Sequence, residues 1–530
     1  MFDAVIVGLG PTGATLANLL AQRGWRLAVV ERAAEVYDKP RAITADHEAM
    51  RVFQQIGLAD EIASGTTPHR GTDFHGVDGR LIKKFYPADP PGPLGWDPSF
   101  MFLQPDLERI LRRGLQRFPG VTVQLSTAVT GIDDGGDRLM VTTEDERTGA
   151  VHTLATRYVL GCDGASSTVR RLTPGTFDDL EFDEEWLVLD ALVEDTDRFP
   201  ARCIQYCRPT RPGTYIVGPG DLRRWEIKLM PGEDARSFDT PESVRAVLAD
   251  FTDETGLEIV RHAVYRFHAV VADSWRFGRV FLLGDAAHQM PPFMGQGMCA
   301  GIRDAVNLAW KLDAVHRLGA GPALLDTYTE ERKAHVRSVV ANTRAFGRII
   351  GELDPVAAAQ RDRRLARELH DGTAETVRQN FIPRITGGAT AVDPQTGAPI
   401  GAAGDLCPQP WVRTGEHDHI RMDDVLPDGF TVVTFTDQHW AYELAWPKSE
   451  LLSPRHIHVR RDCAEAAADV IDVTGSLTSW AQQNDVAIAV VRPDRHVYGT
   501  AADPRQAERL VTALSSDLAR WIPALQEARP

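Results

Sequence analysis

The sequence predicts an α/β fold in which a Rossmann-like dinucleotide-binding domain carries a β-rich insertion and is followed by a second α/β unit. Three observations support this prediction: an apolar strand that runs into a G-x-G-x-x-G turn, two later strands that end in Asp-Gly and Gly-Asp, and a Gly/Ala/Pro-rich linker at 387–404. At 530 residues the chain is too long for a single core, and its length predicts about three or four domains.

The first thirty residues read as a strand, a glycine turn, a helix and a second strand that ends in Glu31. Gly8 permits a tight turn, Gly10 lets backbone N–H groups reach a pyrophosphate, and Gly13 lets the helix pack closely on the strand. Glu31 is placed to accept hydrogen bonds from an adenosine ribose. The pattern predicts a bound dinucleotide and leaves FAD and NAD open.

Two further strands end in acids. One leads into Asp163-Gly164 and the other into Gly284-Asp285. Because α/β folds bind ligands at the carboxyl ends of their strands, both acids are candidate cofactor contacts, with a plain Asp-Gly turn as the alternative. The segment 295–297 then opens a long helix whose N-terminus suits an anionic group. His288 lies in this stretch as a candidate base, although a histidine at a turn is more often structural.

Two excursions interrupt the nucleotide domain. Residues 71–101 contain an Asp-Gly hairpin turn and a Pro/Gly-rich run, and 177–267 contain short segments of alternating polarity. We interpret the second as a β-rich insertion that roofs a substrate pocket. The α/β unit beyond the linker lacks C-x-x-C, which excludes thioredoxin-like redox chemistry there and leaves packing or association as its expected task.

Composition narrows the class of protein. A net charge of −16 disfavours a nucleic-acid partner. No apolar stretch approaches the length of a membrane span, and Asp3 stands where a signal peptide would carry basic residues, so a cytoplasmic location is expected. Cys203 and Cys207 are the only close cysteine pair and lack a second ligand pair nearby, so no metal site is predicted.

Three motifs in this order resemble those of the single-component FAD-dependent aromatic hydroxylases related to p-hydroxybenzoate hydroxylase and phenol hydroxylase. The motifs are V-G-L-G-P-T-G with Glu31, C-D-G-A-S-S-T-V-R, and L-L-G-D-A-A-H-Q-M-P-P-F-M-G-Q-G-M. The likeness is closest to the 3-(3-hydroxyphenyl)propionate hydroxylases and covers nearly the whole chain. It implies FAD as the bound cofactor.

The resemblance also implies a division of the chain and a set of cofactor contacts. Residues 1–72, 100–172 and 276–390 would form the FAD-binding domain of the p-hydroxybenzoate hydroxylase type, 73–99 and 173–275 the substrate-binding domain, and 391–530 a thioredoxin-like domain. The implied cofactor contacts are Gly8, Gly10, Gly13, Glu31, Arg32, Arg41, Gln104, Asp163, Asp285, Pro292, Gly295, Gln296, Gly297 and Met298.

The implied reaction uses NADH or NADPH to reduce the flavin, after which O2 adds at C4a and the resulting hydroperoxide hydroxylates a small phenolic substrate. Position, dry surroundings and help in forming the phenolate would be the protein's contribution. His47, Tyr215 and His288 are the candidate catalytic residues, and His47 stands where an acid is expected. For a carboxylated substrate, Arg202 and Arg211 are considered as anion partners, with surface placement preferred.

Several alternatives stay open at this point. They are a hydroxylase of a polyketide or other phenol and a non-catalytic flavin-binding protein. A flavin-dependent halogenase is disfavoured because the W-x-W-x-I-P signature is missing. The choice between NADH and NADPH, the ring position hydroxylated and homodimer formation are also left open.

Overall fold

The computed structural model describes residues 1–39, 41–90, 92–253, 255–461 and 469–522. Cys463 lies outside these ranges. The strands, numbered along the chain, are β1 (Phe2–Val7), β2 (Leu27–Val30), β3 (Thr44–Asp46), β4 (Thr67–Pro68), β5 (Thr72–His75), β6 (Leu81–Phe85), β7 (Ser99–Met101), β8 (Val121–Gln124), β9 (Thr127–Asp134), β10 (Leu139–Asp145), β11 (Val151–Gly161), β12 (Phe177–Val193), β13 (Cys203–Tyr206), β14 (Gly213–Val217), β15 (Leu222–Lys228), β16 (Leu257–Ala272), β17 (Arg276–Phe277), β18 (Val280–Leu282), β19 (His288–Gln289), β20 (Trp411–Arg413), β21 (Ile420–Arg421), β22 (Phe430–Thr434), β23 (Leu452–Arg460), β24 (Val470–Asp472), β25 (Ile488–Val491) and β26 (Val497–Ala501).

The α-helices are α1 (Pro11–Ala21), α2 (His47–Gln55), α3 (Ala59–Ser64), α4 (Gln104–Gly114), α5 (Thr168–Arg171), α6 (Pro241–Leu248), α7 (Gly297–Arg317), α8 (Ala323–Ile350), α9 (Pro355–His370), α10 (Ser476–Gln483) and α11 (Pro504–Trp521). Two single-turn 3₁₀ helices, Gly284–Ala286 and Pro292–Met294, precede α7. No helix within the described ranges is both long and apolar enough to cross a membrane.

The first sheet has the order β17-β18-β11-β1-β2-β8, with β10 joined to β11 and β9 to β10. Strands β2, β1, β11 and β18 run parallel and are largely buried apart from the first half of β11, and α1 packs between this sheet and α7. In register, Val7 lies beside Val30 and Gly161, and Gly161 beside Leu282. The loops that follow these four strands therefore meet at one edge of the sheet.

The second sheet, of order β19-β16-β12-β15-β14-β13-β5-β6, collects strands from both excursions. Side chains alternate between its two faces because the period of a strand is two residues. One face is apolar and packs against α6 through residues such as Tyr215, Trp225 and Leu248. The opposite face is polar and carries Asp190, Arg224 and Glu226, which are buried.

The third sheet belongs to the C-terminal unit and has the order β21-β20-β24-β23-β22-β25-β26. It is mixed, with β22, β23 and β24 parallel and β25 and β26 antiparallel to their neighbours. Helix α11 covers it with an apolar stripe at three- and four-residue spacing, formed by Leu510, Leu514, Leu518 and Trp521.

The C-terminal unit also holds the Pro/Gly-rich run of the first excursion. The backbone N–H of Gln409 donates to the carbonyl of Pro93 at 2.7 Å, and its side-chain amide donates to the carbonyl of Leu94 at 2.7 Å. The Arg421 guanidinium lies 3.6 Å from the ring centre of Trp96. Residues 93–96 are thus held in place by a part of the chain that is distant in sequence. Gln409 and Leu94 are 315 residues apart.

Candidate functional site

A cavity of about 1070 Å³ lies between the carboxyl edge of the first sheet and the polar face of the second. This volume slightly exceeds the usual upper bound of roughly 1,000 Å³ for small-molecule pockets, which leaves room for a dinucleotide beside a small substrate. The predicted cofactor residues that line it are Gly8, Gly10, Glu31, Arg32, Arg41, Gln104, Asp163, Asp285, Pro292, Gly295, Gly297 and Met298.

The glycine turn forms one end of the cavity. Gly8 has a φ of +98°, and a Cβ on Gly13 would lie 2.1 Å from the Gly8 carbonyl oxygen, whereas a Cβ on Gly10 would meet nothing within 4 Å. Helix α1 starts beside this open space without a side-chain cap or an acid in its first turn. Its free N–H groups therefore fit an anionic pyrophosphate.

Glu31 and α4 close the nucleotide end. Glu31 accepts a 2.7 Å hydrogen bond from the Leu9 N–H, which ties the acid to the glycine turn. Gln104 accepts from the Ala42 N–H at 2.6 Å and donates to Glu108 at 2.7 Å. These contacts fix the walls around the expected adenosine, so the residues present fit the ADP half of FAD.

The two predicted arginines occupy different settings. Arg32 is exposed and its guanidinium lies 3.0 Å from the Glu146 carboxylate. The Arg41 guanidinium lies 4.8 Å from the ring centre of Tyr37, and its carbonyl accepts a 2.6 Å hydrogen bond from Arg224. The backbone of Arg41 thus connects the nucleotide end of the cavity to the second sheet.

Asp163 and Asp285 follow neighbouring strands but differ in their partners. Asp163 caps α5, because it accepts from the N–H groups of Thr168 at 2.7 Å and Val169 at 3.0 Å and from the Ser167 hydroxyl at 2.5 Å. Asp285 projects into the cavity, and no described residue donates a hydrogen bond to its carboxylate. Its side chain is open to the cavity, yet desolvation by the protein around it raises the pKa of Asp285. Its free carboxylate suits the hydroxyl groups of a ribityl chain.

The loop before α7 forms the other end of the cavity. Gly295 takes a left-handed φ of +62° after the Pro292–Met294 turn, and α7 begins at Gly297. Gln296 does not line the cavity. It is buried, donates to Asp46 at 3.1 Å and accepts from Arg303 at 2.9 Å. Gln296 therefore fixes the loop, and Gly13 acts in the same indirect way at the other end.

None of the candidate catalytic residues His47, Tyr215 and His288 is among the residues that line the cavity. Tyr215 lies on the apolar face of the second sheet and donates to the Pro200 carbonyl at 3.2 Å. His288 is fully buried with its Nε2 2.8 Å from Asp304. His47 is buried at the start of α2. Within the part of the chain that the structure describes, no group of His, Cys, Asp and Glu side chains is placed to hold a metal ion.

Comparison with known proteins agrees with this geometry. A family model described as an FAD binding domain matches residues 1–343, and one described as the HcaD C-terminal domain matches 404–517. A probable NADH-specific resorcinol 4-hydroxylase of Rhodococcus jostii is 34% identical over 97% of this chain and 95% of its own length. A 3-(3-hydroxy-phenyl)propionate/3-hydroxycinnamic acid hydroxylase of Mycolicibacterium gilvum is 34% identical over 96% and 90%.

The chain belongs to the FAD-dependent aromatic hydroxylases. The predicted family, α/β class and FAD cofactor are thereby confirmed. The flavin-dependent monooxygenase PieE, solved with FAD and substrate, matches this hydroxylase with a TM-score of 0.79 over 98% of this chain and 99% of its own, at 22% identity. Aklavinone-11 hydroxylase matches with a TM-score of 0.74 over 97% and 98%, also at 22% identity. Both likenesses concern the fold.

Sequence reasoning missed several cavity residues of this hydroxylase. At the nucleotide end, Arg112 lines the cavity and donates to the Leu9 carbonyl at 3.2 Å. The spacing of four between Gln104, Glu108 and Arg112 places them on one face of α4, which is a signal that the sequence did carry.

At the loop end, the missed group is His69, Cys203 and Arg378. His69 accepts at Nδ1 from the Gly71 N–H at 2.9 Å, and its Nε2 lies 3.4 Å from Arg378 and 4.0 Å from the Cys203 sulfur. Burial and then the Arg378 charge lower the pKa of His69 to about 3, so the imidazole is neutral. No local sequence motif indicates this group of three residues.

Proposed function

We propose that the protein is an NAD(P)H-dependent FAD monooxygenase that hydroxylates a phenolic acid such as 3-(3-hydroxyphenyl)propionate, with O2 as co-substrate, in the cytoplasm. The observation that carries the proposal is the continuity of the cavity, which joins the glycine turn and Glu31 to the polar face of the second sheet. The names of the relatives that are 34% identical, a resorcinol hydroxylase and propionate hydroxylases, support the phenolic class.

Arg378 supports a substrate that carries a carboxylate. Its side chain is buried and lines the cavity, and within the described residues no carboxylate lies within 4.0 Å of its guanidinium. Its bonded partners are the carbonyl of Met294 and the ring of His69, both neutral. A buried cation without an ion-pair partner is costly unless a ligand supplies the anion. Arg211, by contrast, pairs with Glu233 at 2.6 Å outside the cavity lining.

FAD, when bound, supplies the redox chemistry by accepting hydride and activating O2. The residues of this chain bind and orient it. The α1 N-terminus and Gly10 receive the pyrophosphate, Glu31 the ribose, and Asp285 the ribityl chain. The loop from Pro292 to Met298 takes the ring end, where the α7 N-terminus favours negative charge. In this proposal His47, His288 and Gln296 support the loop from Pro292 to Met298 from outside the cavity.

Two finer architectural assignments belong to the same proposal. Residues 73–99 and 173–275, which carry most of the second sheet, form the substrate-binding domain. The C-terminal unit has the thioredoxin-like arrangement. We assign it a packing role because it holds residues 93–96 and none of its described residues lines the cavity.

The test is oxidation of NADH and of NADPH by the FAD-loaded protein with a panel of phenols, with the products identified. The panel contains 3-(3-hydroxyphenyl)propionate, 3-hydroxycinnamate, resorcinol and a polycyclic polyketide phenol. We expect hydroxylated product with the phenolic acids at the highest kcat/KM. Peroxide without hydroxylated product from every phenol would defeat the proposal, and product from the polyketide alone would favour secondary metabolism.

A further inference from the structure

A row of four side chains, three of them polar, crosses the cavity-facing side of the second sheet. Gln205 on β13 pairs in register with Thr214 on β14, Thr214 with Glu226 on β15, and Glu226 with Val188 on β12. Residues in register share a face, and all four line the cavity. Tyr215 points the opposite way because it follows Thr214 by one residue.

Glu226 is the member of this row that the protein leaves unsatisfied. It is 4% exposed, and no described residue donates a hydrogen bond to its carboxylate. Its charged neighbours are otherwise engaged, because Asp190 accepts from Arg224 at 2.6 and 3.1 Å and from Arg261 at 3.1 Å. Native proteins satisfy most buried carboxylates, so one aimed into a cavity points to a ligand.

The charges around Glu226 set its protonation. Burial raises its pKa, Arg224 on the same strand and Arg261 on β16 lower it, Asp190 on β12 raises it, and the net value is about 7. Tyr265 accepts a hydrogen bond from Arg261 and also lines the cavity. His69 and Arg378 line the same cavity. A carboxylate that titrates near neutral pH is suited to accept a proton and release it again.

The row faces the loop expected to hold the flavin ring. Val188, the register partner of Glu226, lies two residues after Trp186, whose ring centre is 5.0 Å from that of Phe293 in the loop. On the opposite side, Arg378 bonds to the carbonyl of Met294 in the same loop. A substrate held between sheet and loop would share this cavity with both Glu226 and Arg378.

We propose that Glu226 is the catalytic base that takes the proton of the substrate's phenolic hydroxyl. The phenolic O–H bond breaks, its electron pair stays on oxygen as phenolate, and the proton forms an O–H bond on the Glu226 carboxylate. The Thr214 hydroxyl donates to the side-chain amide oxygen of Gln205 at 2.5 Å. The side-chain N–H groups of Gln205 are therefore left to stabilise the phenolate. The inference rests on the proposed function.

The test compares Glu226→Gln with the control Glu185→Gln, an acid on β12 that does not itself line the cavity and pairs with the exposed Arg266 at 3.3 Å. Phenols of decreasing solution pKa are used as substrates. With the least acidic phenol we expect Glu226→Gln to lower kcat/KM by about 10²-fold or more, because general base catalysis contributes roughly 10²–10⁴-fold. With phenols already ionised at the assay pH, activity should return to within a few-fold of wild type.

The pH profile is a second readout. The wild-type rate with the least acidic phenol should rise with pH through about 7, and this limb should be absent in Glu226→Gln but present in Glu185→Gln. Equal losses with every phenol, or an unchanged pH limb, would overturn the proposal. If Glu226→Gln does not fold, Glu226→Asp must show the same dependence on phenol acidity in weaker form, and its absence overturns the proposal equally.

Binding alone separates this inference from the proposed function. The ultraviolet difference spectrum of a phenol bound to the FAD-loaded protein reports phenolate without any turnover. Phenolate formed by wild type and lost in Glu226→Gln supports Glu226 even if no hydroxylated product is found. Identical ionisation of the bound phenol in both proteins overturns its role even if the hydroxylase activity is established.

Discussion

Glu331 accepts a 2.8 Å hydrogen bond from Arg492, and neither side chain is exposed to solvent. Glu331 belongs to α8, whereas Arg492 follows β25 in the C-terminal unit. Lys311 of α7 lies 3.0 Å from the same carboxylate, and Asp494 pairs with Arg492 at 2.7 Å. The FAD-binding part of the chain and the C-terminal unit are therefore joined through a buried network of two positive and two negative groups.

Arg492→Met should destabilise the protein strongly, because it leaves two carboxylates buried without their main partner. Breaking a buried pair in this way costs about 3–5 kcal/mol. Denaturant unfolding of the FAD-loaded protein measures the change. Arg520→Met is the control, since Arg520 is exposed and pairs with Asp517 at the surface. It should change the unfolding free energy by about 0.5 kcal/mol or less. Equal effects of the two substitutions would contradict the predicted role of the network.

Glu331 should also make stability fall in acid. Burial alone would raise its pKa, but Arg492 and Lys311 lower it from 4.5 to about 2. Below pH 4.5 Glu331 is protonated in the unfolded chain but stays ionised in the folded chain. The free energy of unfolding should therefore fall as the pH drops from 4.5 towards about 2. Unfolding curves at several pH values measure this slope. It should be smaller in Glu331→Gln and unchanged in Glu443→Gln, an exposed acid.

Two glycines of the nucleotide turn should separate folding from cofactor binding. In Gly13→Ala the new Cβ would lie 2.1 Å from a backbone oxygen, so the protein itself must shift, at a cost of about 1–3 kcal/mol. In Gly10→Ala the new methyl group meets only open space in the protein but stands where a pyrophosphate would approach. We expect Gly10→Ala to retain the thermal stability of the FAD-free protein and to lose FAD affinity by tenfold (about 1.4 kcal/mol) or more.

Thermal unfolding of the FAD-free proteins and flavin fluorescence titration provide the two measurements. The two variants are each other's control. If Gly10→Ala binds FAD as wild type does, the pyrophosphate does not approach this turn, and the assignment of the nucleotide end must be abandoned.

Arg378→Met should distinguish anionic from neutral substrates. A charge-assisted hydrogen bond to a carboxylate contributes about 1.5–3 kcal/mol, so kcat/KM for 3-(3-hydroxyphenyl)propionate should fall by about 10- to 100-fold. The value for resorcinol should change far less. Arg211→Met, which removes a guanidinium already paired with Glu233, is the control and should leave both substrates unaffected. A parallel loss for both phenols would show that Arg378 supports the loop and does not bind a carboxylate.

The nucleotide end was open to prediction because its determinants are local. A strand, a glycine turn and a helix within thirty residues specify where Glu31 must lie, and parallel strands bring Asp163 and Asp285 to the same edge. The wall of the cavity formed by the second sheet could not be predicted in this way. Which face of β14 meets the cavity depends on pairing among segments that are distant in sequence. Alternation separates Thr214 from Tyr215, yet only the assembled sheet shows that Thr214 faces the cavity. Arg378 reaches the cavity from a segment that carries no motif.

The hydrogen bonds from Gln409 to residues 93 and 94 have a consequence for building chimeras of these hydroxylases. A C-terminal unit transplanted from a relative would present a different surface to residues 93–96. That surface would still have to bind the backbone carbonyls of Pro93 and Leu94 and the ring of Trp96. Because that loop neighbours His47 at the start of α2, a poorly matched transplant should alter substrate preference without touching a single pocket side chain. The Pro/Gly-rich run at 92–98 and the C-terminal unit should therefore be exchanged together.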